Sequence, residues 1–247
     1  LEHAAQMKEA TGVDYLAADF AEFPIGVRLV LALMWQQGAE LISGSTANID
    51  SPEAVAAVEA IVALFDAGLA NPQLNYADSQ QAFLQGEAAI LVNGTWVVDF
   101  YDAQAADADV PLSEYYVASF PALFGEAATW ADSHMWVVPS GLQTRDPARF
   151  EGALALLDWI DEASIHWART GHLSVRNSVL ASDEYAALPH RDEYASTVAI
   201  ARDVERNPSF PAIQDVLNRS LQSIWLTGAD IESALSAADV EVQALLD

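Results

Sequence analysis

The stretch FLQGEAAILVNGTW, residues 83–96, contains the end of a helix, a short strand and a turn in direct succession. The residues from 79 to 85 predict a short helix, and 88–92 is a short apolar run of the kind found in buried strands. Asn93-Gly94 turns the chain, and another helix is predicted over 96–105. Short strands that alternate with helices are typical of an α/β layered fold.

Two helices are predicted on the N-terminal side of this stretch. The run VRLVLALMWQQ at 27–37 is apolar on most sides and precedes Gly38, which indicates a buried helix with a glycine stop. Ser51-Pro52-Glu53 begins the next helix with a serine cap, a proline in the first turn and an acidic residue at the positive helix end. Its core stripe comprises Ala54, Val55, Val58, Ile61, Val62 and Phe65.

Strands and helices are also predicted on the C-terminal side. The residues 115–120 and 135–138 have the composition of strands, with a loop that contains Pro and Gly between them. Asp146-Pro147 begins a further helix. From Tyr194 onward the pattern is helical with a break at 207–211. The last helix follows Gly228, is capped by Asp230 and carries Ile231, Leu235, Val242 and Leu245.

The composition excludes several classes of function. The chain has 36 acidic and 10 basic residues, a net charge of -26, which argues against binding to nucleic acid or to an anionic membrane surface. The absence of cysteine excludes disulfides, thiolate zinc sites and cysteine nucleophiles. No apolar run is long enough to span a bilayer. The chain opens on Leu1, within what looks like the end of a helix, and shows no signal peptide, so we expect the natural N-terminus to lie upstream.

Four segments, in order, resemble the family of extracellular solute-binding proteins of ABC importers that includes maltose-binding protein. The most specific is FLQGEAAI followed by NGTW at 83–96, and the second is WADSH running into WVVP at 130–139. The third is TGHLSVRNS at 170–178, and the fourth is LTG followed by ESAL at 226–235. Ser174 departs from the pattern, since the family usually has proline there.

The resemblance implies an α/β fold of the type II periplasmic-binding-protein kind, mostly the C-terminal lobe plus a returning segment of the N-terminal lobe. Residues 1–131 would be the first part of the C-terminal lobe, 132–135 a hinge crossing, 136–190 a segment of the N-terminal lobe, and 191–247 the second part of the C-terminal lobe. Family members carry a signal peptide and most of the N-terminal lobe before the position that matches Leu1.

The 136–190 segment would then present an apolar face that lacks its usual cover. We expect the missing lobe, or another copy of the chain, to cover it. The side chains of this face are Leu154, Leu157, Trp159 and Trp167.

The resemblance also implies a ligand site centred on Trp96, where family members stack an aromatic ring on a sugar. The alternative is a tryptophan of the core. Asn93, in the turn before it, belongs to the same site. Trp130 would be a second aromatic platform or a core residue. Asp132, Ser133 and His134 would lie where the chain crosses between lobes, either hydrogen-bonding sugar hydroxyls or packing in the hinge.

Three further residues are weaker candidates for the site. Arg176 would hold a ligand or form a structural ion pair with a carboxylate. Glu22 and Phe23 precede the long buried helix, where family members place ligand contacts, although structural roles are the favoured alternative.

We therefore predict a non-catalytic receptor that captures a sugar or oligosaccharide outside the membrane, in the periplasm or as a lipid-anchored protein, and delivers it to an ABC permease. No metal or cofactor is expected. The alternatives are a glycan-processing enzyme and a carbohydrate-binding or adhesion module without transport. No motif fixes two carboxylates across a cleft, and the adjacent Ser133 and His134 cannot form a nucleophile–base pair in a strand.

Overall fold

The computed structural model describes residues 1–22, 24–204 and 206–247. The helices are α1 (Glu2–Thr11), α2 (Ile25–Trp35), α3 (Pro52–Asp66), α4 (Tyr76–Leu84), α5 (Val98–Ala105), α6 (Leu142–Arg145), α7 (Pro147–Glu162), α8 (Ile165–Ala168), α9 (Asn177–Leu180), α10 (Asp183–Ala186), α11 (Arg191–Tyr194), α12 (Thr197–Ile200), α13 (Phe210–Thr227) and α14 (Ile231–Leu246). The strands are β1 (Asp14–Ala17), β2 (Ile42–Ser43), β3 (Thr46–Ala47), β4 (Ala88–Leu91), β5 (Thr129–Trp130) and β6 (Ala201–Arg202).

Helix α2 lies at the centre of the main core. Its residues are buried on nearly every side, as the apolar run predicted, and α3, α13 and α14 pack around it. Helices α13 and α14 bury one stripe each, which includes Leu217, Leu221 and Leu235. The burial of these apolar side chains therefore stabilises a layer of four helices, against which β3 and β5 pack.

The helix starts follow the predicted caps. Ser51 accepts a hydrogen bond from the Ala54 N–H at the start of α3. Asp146 does the same for the Arg149 N–H in α7, and Asp230 for the Ser233 N–H in α14. Each cap satisfies one of the backbone donors that a helix N-terminus leaves without a partner.

The strands form three two-stranded sheets. Strands β1 and β4 are parallel, with Asp14 opposite Ala88. Strands β5 and β6 are also parallel, with Trp130 opposite Arg202, and β2 and β3 form an antiparallel hairpin. Strand β4 was predicted as a buried strand, but its Ile90 is exposed.

Two predicted strands are wrong. The residues 115–120 and 135–138 form no strand in the described part of the chain, and Met135, Trp136 and Val137 are 80%, 71% and 76% exposed. A strand needs a neighbouring strand to satisfy its backbone groups, and composition alone does not supply one. The helical pattern predicted from Tyr194 to the break at 207–211 is also wrong at β6, which pairs with β5.

A second, small core forms within 165–188, where Ala168, Val179 and Tyr185 are buried. The Arg191 guanidinium donates to the backbone oxygens of Ala168, Arg169 and Pro189, and so closes this unit. By contrast, α7 has no buried residue in the described structure, and its Trp159 is 63% exposed. No helix among the described residues combines the length and apolarity that a transmembrane segment requires.

Candidate functional site

Trp96 lies in the 3₁₀ turn Thr95–Val97, between β4 and α5. Its indole N–H donates to the Tyr76 hydroxyl at 2.8 Å, and Tyr76 begins α4. The ring also lies directly against Gly94, where an added Cβ atom would fall 1.9 Å from Trp96 Cζ3. A hydrogen bond at one edge and a glycine beneath the ring therefore hold the half-buried indole in one orientation.

Asn93 belongs to the same group. Its side-chain oxygen accepts a hydrogen bond from the Gly94 N–H at 2.8 Å and lies 3.5 Å from the Tyr76 hydroxyl. Asn93, Tyr76 and Trp96 thus form one polar and aromatic patch at the C-terminal end of β4. Ligand sites of α/β proteins gather at such strand ends.

Arg28 approaches this patch from the first turn of α2 and is the only charged residue of that helix. Its side chain is 17% exposed, and its guanidinium lies 3.9 Å from the carboxylate of Asp132. Burial lowers the pKa of Arg28 from its ordinary value, while the nearby Asp132 and Tyr76 act in the opposite direction. Arg28 therefore connects the patch around Trp96 with the segment that begins at Asp132.

Trp130 lies on the other side of Arg28. The Arg28 guanidinium carbon is 5.2 Å from the centroid of the Trp130 ring, a cation–π geometry. Trp130 also packs against Trp35 and Phe210, so it is both a core residue and a neighbour of the site. The predicted alternatives for Trp130 are thus not exclusive in this structure.

Ser133 and His134 are exposed, and His134 contacts a different group of side chains. The His134 ring lies 5.6 Å from Trp167 and 5.8 Å from His172. The turn that carries His172 packs against the turn of Trp96, since a Cβ atom added at Gly171 would fall 2.0 Å from the Thr95 oxygen. His134 therefore lies beside the loop that borders the Trp96 turn.

Two of the remaining candidates, Arg176 and Glu22, have other contacts. Arg176 donates to Asp161 at 2.7 Å, which matches the structural ion pair named as its alternative. Glu22 is exposed, and its backbone N–H donates to the Asp19 carboxylate at 2.9 Å. Phe23 lies outside the described residues.

Sequence reasoning missed Arg28 and Tyr76. A lone arginine in the apolar run 27–37 was a usable signal, because a charge in a buried helix needs a partner or a function. Tyr76 carried no comparable signal, since its role appears only when α4 packs beside the turn of Trp96. Within 1–22, 24–204 and 206–247, no three His, Asp or Glu side chains group in a way that could hold a metal ion.

Solved structures share this fold. Maltose-bound MalE3 of T. maritima has 19% sequence identity and a TM-score of 0.76, over 99% of this chain and 63% of that chain. The cyclic α-maltosyl-1,6-maltose binding protein of Arthrobacter globiformis has 22% identity and a TM-score of 0.75, over 99% and 62%. UgpB of Mycobacterium tuberculosis, in complex with glycerophosphocholine, has 19% identity and a TM-score of 0.78, over 100% and 62%.

The fold is therefore that of the type II periplasmic binding proteins, which confirms the predicted fold class. Residues 2–193 match the family described as bacterial extracellular solute-binding proteins, and the chain belongs to that family. The members of this family are solute-binding proteins and not enzymes, so the alternative of a glycan-processing enzyme is not supported. Comparison with curated proteins gives no match. The chain spans less than two thirds of the length of these three solved structures.

Proposed function

We propose that this protein binds a neutral sugar or oligosaccharide outside the cytoplasm, as the substrate-binding component of an ABC importer. The observation that carries the proposal is the fixed orientation of Trp96, held by Tyr76 and Gly94 beside Asn93. An indole plane suits the C–H face of a pyranose ring, and the neighbouring amide and hydroxyl groups can hydrogen-bond its hydroxyls. The extracellular nature of the family supports the location.

The charges of the site favour a neutral ligand. Arg28 lies beside Asp132, so the two charges largely compensate each other at the surface where a ligand would rest. The net charge of -26 would repel an anion at long range. The ligands in similar structures include maltose, maltotriose, tagatose and ribitol, all neutral polyols. Glycerophosphocholine, in UgpB, is the informative contrast because it carries a phosphate and an ammonium group.

The domain division predicted from the sequence fits this role. In the proposed receptor, two lobes close on the ligand by bending at 132–135, and the closed form docks on a permease. The exposed apolar side chains of 136–190, including Trp136 and Trp159, are then covered by another lobe of the clamp or by a second copy of the chain. Sedimentation velocity over a range of protein concentrations tests whether a second copy covers this face. In that case we expect a concentration-dependent dimer.

The sugar proposal is tested by calorimetric titration of the protein with maltose, maltotriose, tagatose, ribitol and glycerophosphocholine. We expect at least one neutral saccharide to bind, and Trp96→Ala to lose about 1–3 kcal/mol of binding free energy, the typical value of a central aromatic contact. Tyr116→Ala removes an exposed aromatic side chain outside 136–190 and is the matched control, with unchanged affinity.

The outcomes separate the two parts of the proposal. If no saccharide binds to the unmodified protein, the proposal of a sugar ligand is wrong. If a saccharide binds equally well to Trp96→Ala and to the unmodified protein, the ligand class stands and the assignment of Trp96 is wrong.

A further inference from the structure

Four side chains form a continuous stack that runs from the candidate site to the partly exposed Arg202. The Arg28 guanidinium carbon lies 5.2 Å from the Trp130 ring centroid, and the Trp130 and Trp35 rings are stacked at 6.2 Å with an interplanar angle of 29°. The Arg202 guanidinium carbon lies 5.5 Å from the Trp35 ring centroid. We call Arg28, Trp130, Trp35 and Arg202 the cation–aromatic stack.

Carboxylates fix both ends of this stack. Asp132 lies beside Arg28 at the site end. Glu40 lies at the far end, where one of its oxygens accepts a hydrogen bond from the Trp35 indole N–H at 3.1 Å and the other pairs with Arg202. Glu40 thereby holds Trp35 and Arg202 against each other, since it contacts both.

The backbone couples the two ends of the stack as well. Trp130 and Arg202 are register partners in the parallel pair β5–β6, and the Ala131 N–H donates to the Arg202 oxygen at 2.9 Å. Asp132 is the next residue in the chain after Ala131. The position of Arg202 therefore bears on the strand that delivers both Trp130 and Asp132 to the site.

Stacking, and not a hydrogen bond, sets the orientation of Trp130. Its indole nitrogen is buried and has no hydrogen-bond partner among the described residues. A ring without a hydrogen bond depends on the groups packed against it, which here are Arg28, Trp35 and Phe210. Loss of the far cation would loosen Trp35 and, through it, Trp130.

The geometry points to Arg202 as a positioning residue for the binding site: it fixes Trp35, and through Trp35 the orientation of Trp130 and Arg28. This inference rests on the proposed function, since it assigns Arg202 an effect on ligand affinity from outside the site. Two aromatic rings separate its guanidinium from that of Arg28, and its side chain is 40% exposed. Arg202 acts through the stack and has no ligand contact of its own.

The test uses four variants of the full chain. Arg202→Met keeps an apolar stem and removes the cation, and Arg202→Lys keeps a cation. Arg219→Met is the matched control, because Arg219 is also a surface arginine paired with a carboxylate, Glu241, but lies on α13 outside the stack. Trp35→Leu identifies the spectroscopic signal of the indole pair.

Two measurements are made on each variant. The first is the far-ultraviolet circular dichroism couplet that two stacked indoles produce, recorded without ligand. The second is the affinity for maltotriose by calorimetry. Urea unfolding of each variant is recorded as a control for global stability. We expect Arg202→Met to lose most of the couplet and to bind maltotriose about two- to fivefold more weakly, as one cation–π contact implies. Arg202→Lys restores most of both signals, and Arg219→Met changes neither.

The inference is overturned if Arg202→Met retains both the couplet and the affinity, if Arg202→Lys restores neither, or if Trp35→Leu keeps the couplet. A loss of affinity that merely follows a loss of global stability, with the couplet intact, also overturns it. If neither maltotriose nor any other saccharide binds to the unmodified protein, the proposed function fails. The couplet then still decides whether Arg202 positions Trp130.

Discussion

At the scale of single residues, Gly94 has a steric role in the site. Its backbone is extended, with φ of -84°, so any residue could adopt its conformation. A Cβ atom there would nevertheless fall 1.9 Å from the Trp96 ring. We expect Gly94→Ala to displace the indole, break its bond to Tyr76 and lower the free energy of unfolding by about 1–3 kcal/mol.

Urea denaturation, followed by circular dichroism and by tryptophan emission, measures this effect. Gly152→Ala is the control, because Gly152 lies in α7 with no atom near the position of an added Cβ. We expect that control to be neutral or to raise stability by up to about 1 kcal/mol, since alanine is the better helix former. Equal stability of Gly94→Ala and the unmodified protein would contradict the steric role.

His172 gives the stability a dependence on pH. Burial, and secondly the neighbouring His134, lower the pKa of His172 from its ordinary value of 6.5. The unfolded chain therefore takes up the proton first, so neutral His172 stabilises the fold above the unfolded value, and this contribution is lost as the pH falls through the folded pKa. The difference in unfolding free energy between the unmodified protein and His172→Gln should shrink from about pH 8 to about pH 5.

The matched control for this pH effect is His3→Gln, since His3 is exposed on α1. Its unfolding free energy should follow that of the unmodified protein across the same range of pH. The interpretation of His172 is wrong if the difference for His172→Gln is the same at both pH values.

At the scale of elements, Gln36 fixes the loop that leads into β5. The residue follows α2, is 1% exposed, and its side-chain nitrogen donates to the Pro121 and Ala128 oxygens. Its side-chain oxygen accepts from the Leu123 and Phe124 N–H groups. One side-chain amide thus forms hydrogen bonds with four backbone groups of a segment that is neither helix nor strand.

We expect Gln36→Leu to lower the free energy of unfolding by about 1–3 kcal/mol, because the leucine leaves one buried and three partly buried backbone groups without this partner. Gln81→Leu on the exposed face of α4 is the control and should change stability by less than about 0.5 kcal/mol. Hydrogen exchange of the 121–130 amides should accelerate in Gln36→Leu. Unchanged exchange there would mean that the loop is held by other contacts.

The same loop shows where sequence reasoning ends. The helices α3, α7 and α14 were predictable because their signals are local: Ser51, Asp146 and Asp230 each cap a helix within three residues of their own position. Gln36 and the loop it holds are 85 to 92 residues apart in sequence, so no local pattern reports their contact. The wrong strand at 115–120 has the same cause, since a strand depends on a distant partner.

The candidate site also contains residues that local motifs identified and contacts that they did not. Trp96, Asn93, Trp130 and Asp132 belong to motifs that the resemblance identified, and the structure groups them with Arg28 and Tyr76. The link between Arg28 and Asp132 joins α2 to the second residue after β5, and no local sequence pattern indicates it. The sequence indicated residue types suited to a ligand site, but it did not indicate which of these residues contact each other.

At the scale of the whole molecule, charge repulsion is the main unfavourable electrostatic contribution. The chain carries 36 acidic and 10 basic residues, and most of the ion pairs among the described residues are at the surface, where each contributes little. Added salt weakens the repulsion between the many unpaired carboxylates more than it weakens these few pairs.

We therefore expect the melting temperature to rise when NaCl is added to a low-salt buffer. Most of the rise should occur below about 0.3 M, because the Debye length has by then fallen to roughly 6 Å, shorter than most distances between surface charges. Scanning calorimetry at matched NaCl and KCl concentrations measures it, and the two salts should act alike if screening is the cause. A fall in melting temperature on the first additions would mean that the surface ion pairs outweigh the repulsion.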